Sequence, residues 1–192
     1  MANLVKKSGF LTLIRHREIP KYLTFEEVEK VLSQVSNHRD KLIISLLWQT
    51  GLRVSELLSL KREDVDFYNQ TIKTITEKRK GHIRIIPISS SLAGEIAKWI
   101  ADKQISAGQP LFELTRFRIH QIVRDSCLRA RIDRKRSHPH TFRHSFAINC
   151  VKQGTPVLVL NEWLGHSNVD NTLIYTKILA QDSREFYNKI IW

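Results

Sequence analysis

Pro139-His-Thr-Phe-Arg-His-Ser-Phe-Ala147 decides how this chain is read. Proline falls where helices start, since its fixed φ suits the first turn and its missing N–H is not needed there. His140 and Arg143 lie three apart and so share a face of that turn, beside backbone N–H groups that favour anions. The segment reads as a helix start able to hold a phosphate. A capping histidine next to a solvated arginine would look the same in isolation, so the surrounding sequence has to choose between them.

On both sides the periodicity is mostly helical. Thr24-Phe-Glu-Glu27 is a capping box opening a helix whose Val28, Val31, Leu32 and Val35 recur at i, i+3, i+4 and i+7. Leu23 can staple onto Val28. About Asp40 to Thr50, a second helix is apolar around most of its circumference, which makes it central, and Gly51 ends it. A short helix runs from Arg53 to Leu60. Three strands are expected near Val65 to Tyr68, Thr71 to Thr76 and His82 to Pro87, the last alternating through Ile83 and Ile85. The second hairpin turns through Glu77-Lys-Arg-Lys-Gly81. Beyond Pro87, helices are predicted at about 90–103, 115–130, 140–153, 156–164 and 168–178, with a tail near 181–190. The fold class is mainly α with a small three-stranded antiparallel β-sheet.

At 192 residues, the chain fits one domain with short arms and can bury a sizeable core. Hydrophobic residues make up 42% and charged residues 26%, and no apolar run approaches the roughly eighteen residues of a membrane span. Lys and Arg number 31 against 19 Asp and Glu, a formal net charge of +12. Such an excess favours a polyanion, because each neutralised phosphate releases condensed counterions. No basic amphipathic helix stands out, so nucleic acid is preferred and no membrane partner is expected. Cys127 and Cys150 are far apart without a CxxC spacing, which argues against a disulfide framework or a redox motif. The N-terminus lacks the apolar run and cleavage site of a signal peptide, so a cytoplasmic address is expected.

Arg53 lies in Thr50-Gly-Leu-Arg-Val-Ser-Glu-Leu-Leu-Ser-Leu60, an apolar helix start where a lone guanidinium would be costly to bury unpaired. Glu56 can hold it, either as a surface pair of small worth or as support for a partly buried, oriented cation. His166 follows Gly165, which turns the chain, and Ser167 or Asn168 can cap the helix carrying Tyr175. His140 and His144 have an i, i+4 spacing, yet no HExxH pattern or close cysteine pair accompanies them, so no metal site is expected. Basic residues gather at Lys61, Arg62, Lys78, Arg79, Arg116, Arg118, Arg131, Arg134, Lys135 and Arg136. At this net charge they are expected to meet nucleic-acid phosphates rather than particular bases.

Four segments together resemble the catalytic domain of the tyrosine recombinase (phage integrase) family: Thr50-Gly-Leu-Arg-Val-Ser-Glu-Leu, Lys80-Gly-His-Ile-Arg-Ile-Ile-Pro87, Pro139-His-Thr-Phe-Arg-His-Ser-Phe-Ala147 and Leu164-Gly-His-Ser-Asn-Val-Asp-Asn-Thr-Leu-Ile-Tyr-Thr176. Each is modest alone; in this order they are specific. The resemblance implies the family's catalytic-domain fold over residues 21–178, between a basic arm (1–20) and a C-terminal tail helix (179–192). It implies site-specific recombination (integration or inversion) of double-stranded DNA, with Tyr175 attacking a phosphodiester to leave a 3′-phosphotyrosyl link and a free 5′-hydroxyl.

The implied roles agree with the chemistry of the side chains. A phenol with a pKa near 10 is only about one-thousandth phenolate at pH 7, roughly 4 kcal/mol from full ionisation. It needs a base, for which His140 is the candidate. Arg53 and Arg143 can each donate paired hydrogen bonds to the non-bridging oxygens as charge gathers on them, and His166 adds a third donor. Lys80, at the hairpin tip, suits protonation of the departing 5′-oxygen. The turn is one residue shorter than the family pattern, which leaves Lys78 as the alternative. The covalent link conserves the energy of the broken bond, so no cofactor is expected.

Many relatives carry a helical domain before the catalytic one, whereas about twenty residues precede it here. In this the chain resembles short, catalytic-domain-only members such as the fimbrial phase-variation invertases, and an excised catalytic part of a longer parent fits equally. The expected partners are DNA, further copies of the chain in a tetrameric synapse, and accessory DNA-bending proteins. The apolar tail can pack on its own core or dock into a neighbour. A type IB topoisomerase would use the same chemistry without a specific site, and a non-catalytic DNA-binding regulator would not need Tyr175.

Overall fold

Thr24 opens the first helix, α1 (Phe25–Ser33), through the expected capping box: Glu27 N donates to its hydroxyl while Thr24 N donates to the Glu27 carboxylate. The computed structural model describes residues 18–76 and 81–181, together with Tyr187 and Asn188. Asn37 caps α2 (His38–Thr50), which is buried around most of its girth and ends at Gly51 in the left-handed region, φ 62°. Arg53 is the N-cap residue of α3 (Val54–Ser59). A Cβ at residue 51 would come within 2.5 Å of Phe146 Cδ1, so glycine is required there for space as well as for φ.

A short 3-10 turn leads into an antiparallel sheet ordered β1 (Val65–Asp66), β2 (Thr71–Thr76), β3 (His82–Pro87). β1 is shorter than expected because the Asp66 carboxylate takes the Asn69 backbone and amide N–H groups, folding the chain into a turn. β3 alternates as expected, with the arginine and not the flanking isoleucines turned inward. Ile83 and Ile85 face out, 50% and 60% exposed, while Arg84 and Ile86 face in opposite Thr74 and Ile72. The reason is electrostatic: a carboxylate, Glu56, lies inside to meet Arg84.

Helices α4 (Ser90–Lys103), α5 (Arg116–Arg129), α6 (Pro139–Lys152) and α7 (Val157–Leu164) follow within a residue or two of expectation. Pro139 occupies the first turn of α6, and Gly165 ends α7 in the left-handed region. The single helix expected at 168–178 is instead three short pieces: α8 (Asp170–Leu173), a 3-10 turn (Ile174–Thr176) and α9 (Lys177–Gln181). Thr176 helps break it, since its hydroxyl takes the Leu173 carbonyl and competes with the helical ladder. Most of the basic arm and most of the tail lie outside the described residues.

Two hydrophobic clusters result. The larger is built from α1 to α5 and the inner face of the sheet, and includes Phe142. The smaller comprises Phe146, Ala147, Ile148, Val151, Leu160, Leu164, Tyr175 and Ile178. α6 contributes to both and is therefore buried on almost every side. Ser145 ties it to the chain entering α1, accepting from Leu23 N at 2.7 Å and donating to the Thr141 carbonyl. Among the described residues, no helix is long and apolar enough to cross a membrane.

Candidate active site

Glu56 organises the cations. It is 3% exposed, and one oxygen accepts from Arg53 N at 2.7 Å while lying 2.6 Å from Arg84 Nη2; the other accepts from Arg53 Nη1 at 2.8 Å. Burial acts to raise its pKa, but the Arg84 guanidinium, the Arg53 backbone N–H and the charges of Arg143 and Arg53 outweigh it and hold the carboxyl below its usual range. Glu56 is thus an anion at neutral pH, and its two oxygens fix two guanidiniums. Arg84 in turn donates through Nη1 to the Trp163 carbonyl, which ties β3 to α7.

Arg143, 3% exposed, projects from the second turn of α6 and donates to the Gly51 and Leu164 carbonyls. Both acceptors are residues that end or border helices, where carbonyls lack intrahelical partners. Two of its five N–H donors are spent, and the fork is fixed in direction with the rest left over. Burial, then Arg53, lowers its pKa, with Glu56 opposing. Arg53 is partly exposed and still carries donors beyond those given to Glu56.

Tyr175 sits in the 3-10 turn, 2% exposed, within the smaller cluster. Desolvation raises its pKa, while Arg143 and then Arg53 pull it down. Its hydroxyl lies 2.9 Å from His144 Nδ1. The histidine in contact with the phenol is His144; His140, the base expected from the sequence, is exposed at the start of α6, one turn earlier. The ring centroids of His140 and His144 are 6.4 Å apart. His144 is pushed down to about 4, by burial first and then by His140 and Arg143. His140 is lowered as well, by desolvation and then Arg143.

His166 follows the Gly165 turn, with Nδ1 2.9 Å from the Thr172 hydroxyl oxygen. Asn168 caps the next segment by accepting from Asp170 N. The structure therefore gathers Arg53, Glu56, Arg143, His166 and Tyr175 into one electrostatic unit. Lys80, Lys78 and Arg79 lie outside the described residues.

Sequence reasoning missed Arg84 and His144. A signal existed for each: Arg84 is the one cation in the Ile-rich strand, and His144 is i+4 from His140 on a helix already singled out. Of the expected phosphate contacts, Lys61, Arg62, Arg116, Arg118, Arg131, Arg134 and Lys135 are exposed. Arg136 is otherwise engaged, in a bidentate pair with Glu27 at 2.8 Å for both bonds and with a third contact to the Tyr22 carbonyl. Its work is to fasten α1 to the turn before α6.

A phenol, two oriented guanidiniums and two imidazoles around one point, on a helical scaffold with a three-stranded sheet, suit phosphoryl transfer. Residues 21–182 match the phage integrase family, and the chain belongs to that family. It is 36% identical over 181 residues to a tyrosine recombinase of Pseudothermotoga lettingae, covering 91% of this chain and 62% of that protein. The tyrosine recombinase XerA of Pyrococcus horikoshii is 36% identical over 178 residues, 90% of this chain and 62% of that protein. The chain thus spans about three-fifths of the length of these relatives. Its fold is similar to a crystal structure of XerA recombinase, TM-score 0.78 at 27% identity, covering 93% of this chain and 68% of that one. It is also similar to the catalytic domain of bacteriophage HP1 integrase, TM-score 0.64 at 27% identity, covering 88% and 96%.

Proposed function

We propose that this chain cleaves and rejoins double-stranded DNA at specific sites through a 3′-phosphotyrosyl intermediate, working as several copies assembled on the duplex. The observation that supports this best is the buried Tyr175 hydroxyl beside His144, within the field of the Arg143 and Arg53 guanidiniums. Arg53 and Arg143 hold the two non-bridging oxygens of the scissile phosphate. Tyr175 Oη then forms a bond to phosphorus as the bond to the 5′-oxygen breaks. The phenol proton passes to the His144–His140 pair, and the 5′-oxygen takes one from Lys80. Religation runs the same steps backwards, with the bond energy kept in the phosphotyrosine.

The buried phenol has to move out to meet a phosphate, and burial sets its pKa above the ordinary value, so the free protein holds its nucleophile in reserve. The exposed cations from Lys61 to Lys135 are proposed to lie along the DNA backbone, with affinity falling steeply as salt rises.

The test is covalent capture. Nicked duplexes bearing candidate sites, incubated with the protein, should give an adduct that survives denaturing electrophoresis. Tyr175→Phe should abolish it while leaving DNA affinity within about twofold of wild type. Folded, DNA-bound wild type that forms no adduct on any such duplex overturns the proposal. Relaxation of supercoils without a preferred site would instead assign a topoisomerase.

A further inference from the structure

Three contacts around His166 close into a ring. Its Nδ1 lies 2.9 Å from Thr172 Oγ1, the Thr172 hydroxyl donates to Asn161 Oδ1 at 2.8 Å, and Asn161 Nδ2 donates to the His166 carbonyl at 3.4 Å. Thr172 is fully buried and Asn161 nearly so, so water does not supply the partners. A hydroxyl carries a single proton. Thr172 gives its proton to Asn161, and the proton between Thr172 and His166 therefore belongs to the imidazole. Reversing the ring would turn Asn161 Oδ1 against the His166 carbonyl, oxygen facing oxygen.

We infer that Thr172 and Asn161 are positioning residues that lock neutral His166 as the Nδ1–H tautomer, so that Nε2 becomes a donor to phosphate only by taking up a proton as DNA binds. This deepens the reading of the site given above and rests on it. With Nδ1 committed to Thr172, the only ring nitrogen left to reach a ligand is Nε2, and in this tautomer it is a bare lone pair. A lone pair facing a phosphate oxygen repels it; an N–H attracts it.

The charges around His166 explain why the proton is missing beforehand. Burial comes first, then Arg143 on α6, Arg53 before α3, Arg84 on β3 and His144 on α6, and together they push His166 down to about 3. The nearby carboxylate, Glu56, is already engaged by Arg53 and Arg84. A phosphodiester brings the absent negative charge, and phosphate seating and His166 protonation must then favour each other reciprocally.

The test uses the full chain with 15N-labelled histidine. In free wild type at pH 7, His166 should show a protonated Nδ1 and an unprotonated Nε2. Thr172→Ser should retain this pattern, and Thr172→Val, similar in shape but lacking the hydroxyl, should move His166 towards Nε2–H. On adding nicked duplex, both nitrogens of wild type should become protonated. Single-turnover adduct formation adds a kinetic readout. Wild type should lose about tenfold in rate per pH unit above the bound-state pKa of His166, whereas Thr172→Val, which can donate from neutral Nε2–H, should lose that limb. Nε2–H in free wild type overturns the ring, and a neutral His166 with duplex bound overturns the proton uptake. Identical high-pH limbs in wild type and Thr172→Val overturn the role of Thr172. Absence of any adduct despite the expected tautomer would sink the recombinase reading and leave the ring standing.

Discussion

Removing the Glu56 carboxylate would leave Arg84, whose side chain has no exposed surface, without its counter-charge. Breaking one side of a buried pair costs about 3–5 kcal/mol, because the survivor stays desolvated and unpaired. Glu56→Ala should lower stability by that order, read as a fall in the urea midpoint, and should release Arg53 as well. Gly51→Ala should cost more than about 1 kcal/mol, since φ is positive there and the new methyl meets Phe146 at 2.5 Å. Two half-buried histidines make stability depend on pH. His144 and His166 sit at about 4 and about 3 when folded, against an ordinary value of 6.5. Below pH 6.5 the unfolded chain binds protons that the folded chain refuses, so stability is complete above that pH and declines as it falls towards 3–4. The urea midpoint at pH 5 should be lower than at pH 7.5, and His166→Asn should reduce the difference.

At the scale of elements, Arg84 fastens the β2–β3 hairpin to both α3 and α7. Arg84→Leu should destabilise, and the double change with Glu56→Leu should cost less than the sum of the two, since an apolar pair replaces a stranded charge. A double-mutant cycle in urea measures it. Most elements were legible from sequence because their signals are local: the Thr24 capping box, Gly51, Pro139 and Gly165 each fix a boundary through chemistry a few residues wide. For β3 the alternation sets a period and not which face is inner; that depends on Glu56, 28 residues away. The segment after Asn168 was read as one helix because its propensities allow one, while the break lies in where the Thr172 and Thr176 hydroxyls find their partners. The same limit applies to the contact with Tyr175: His140 and His144 share a helix face, and tertiary packing brings His144 to the phenol.

For the whole molecule, the division into two hydrophobic clusters matters most. The guanidinium carriers Arg53 and Arg84 are rooted in elements of the larger cluster, whereas Tyr175 belongs to the smaller one, on three short pieces with little helix of their own. Local opening costs least where few buried contacts and short elements coincide. Backbone amides of 170–181 should therefore exchange with deuterium faster than those of α2, and duplex DNA should slow the first group more than the second. The proposed nucleophile thus lies on three short pieces of chain, and the partial unfolding that would be damage elsewhere would here be the motion that carries Tyr175 to a phosphate.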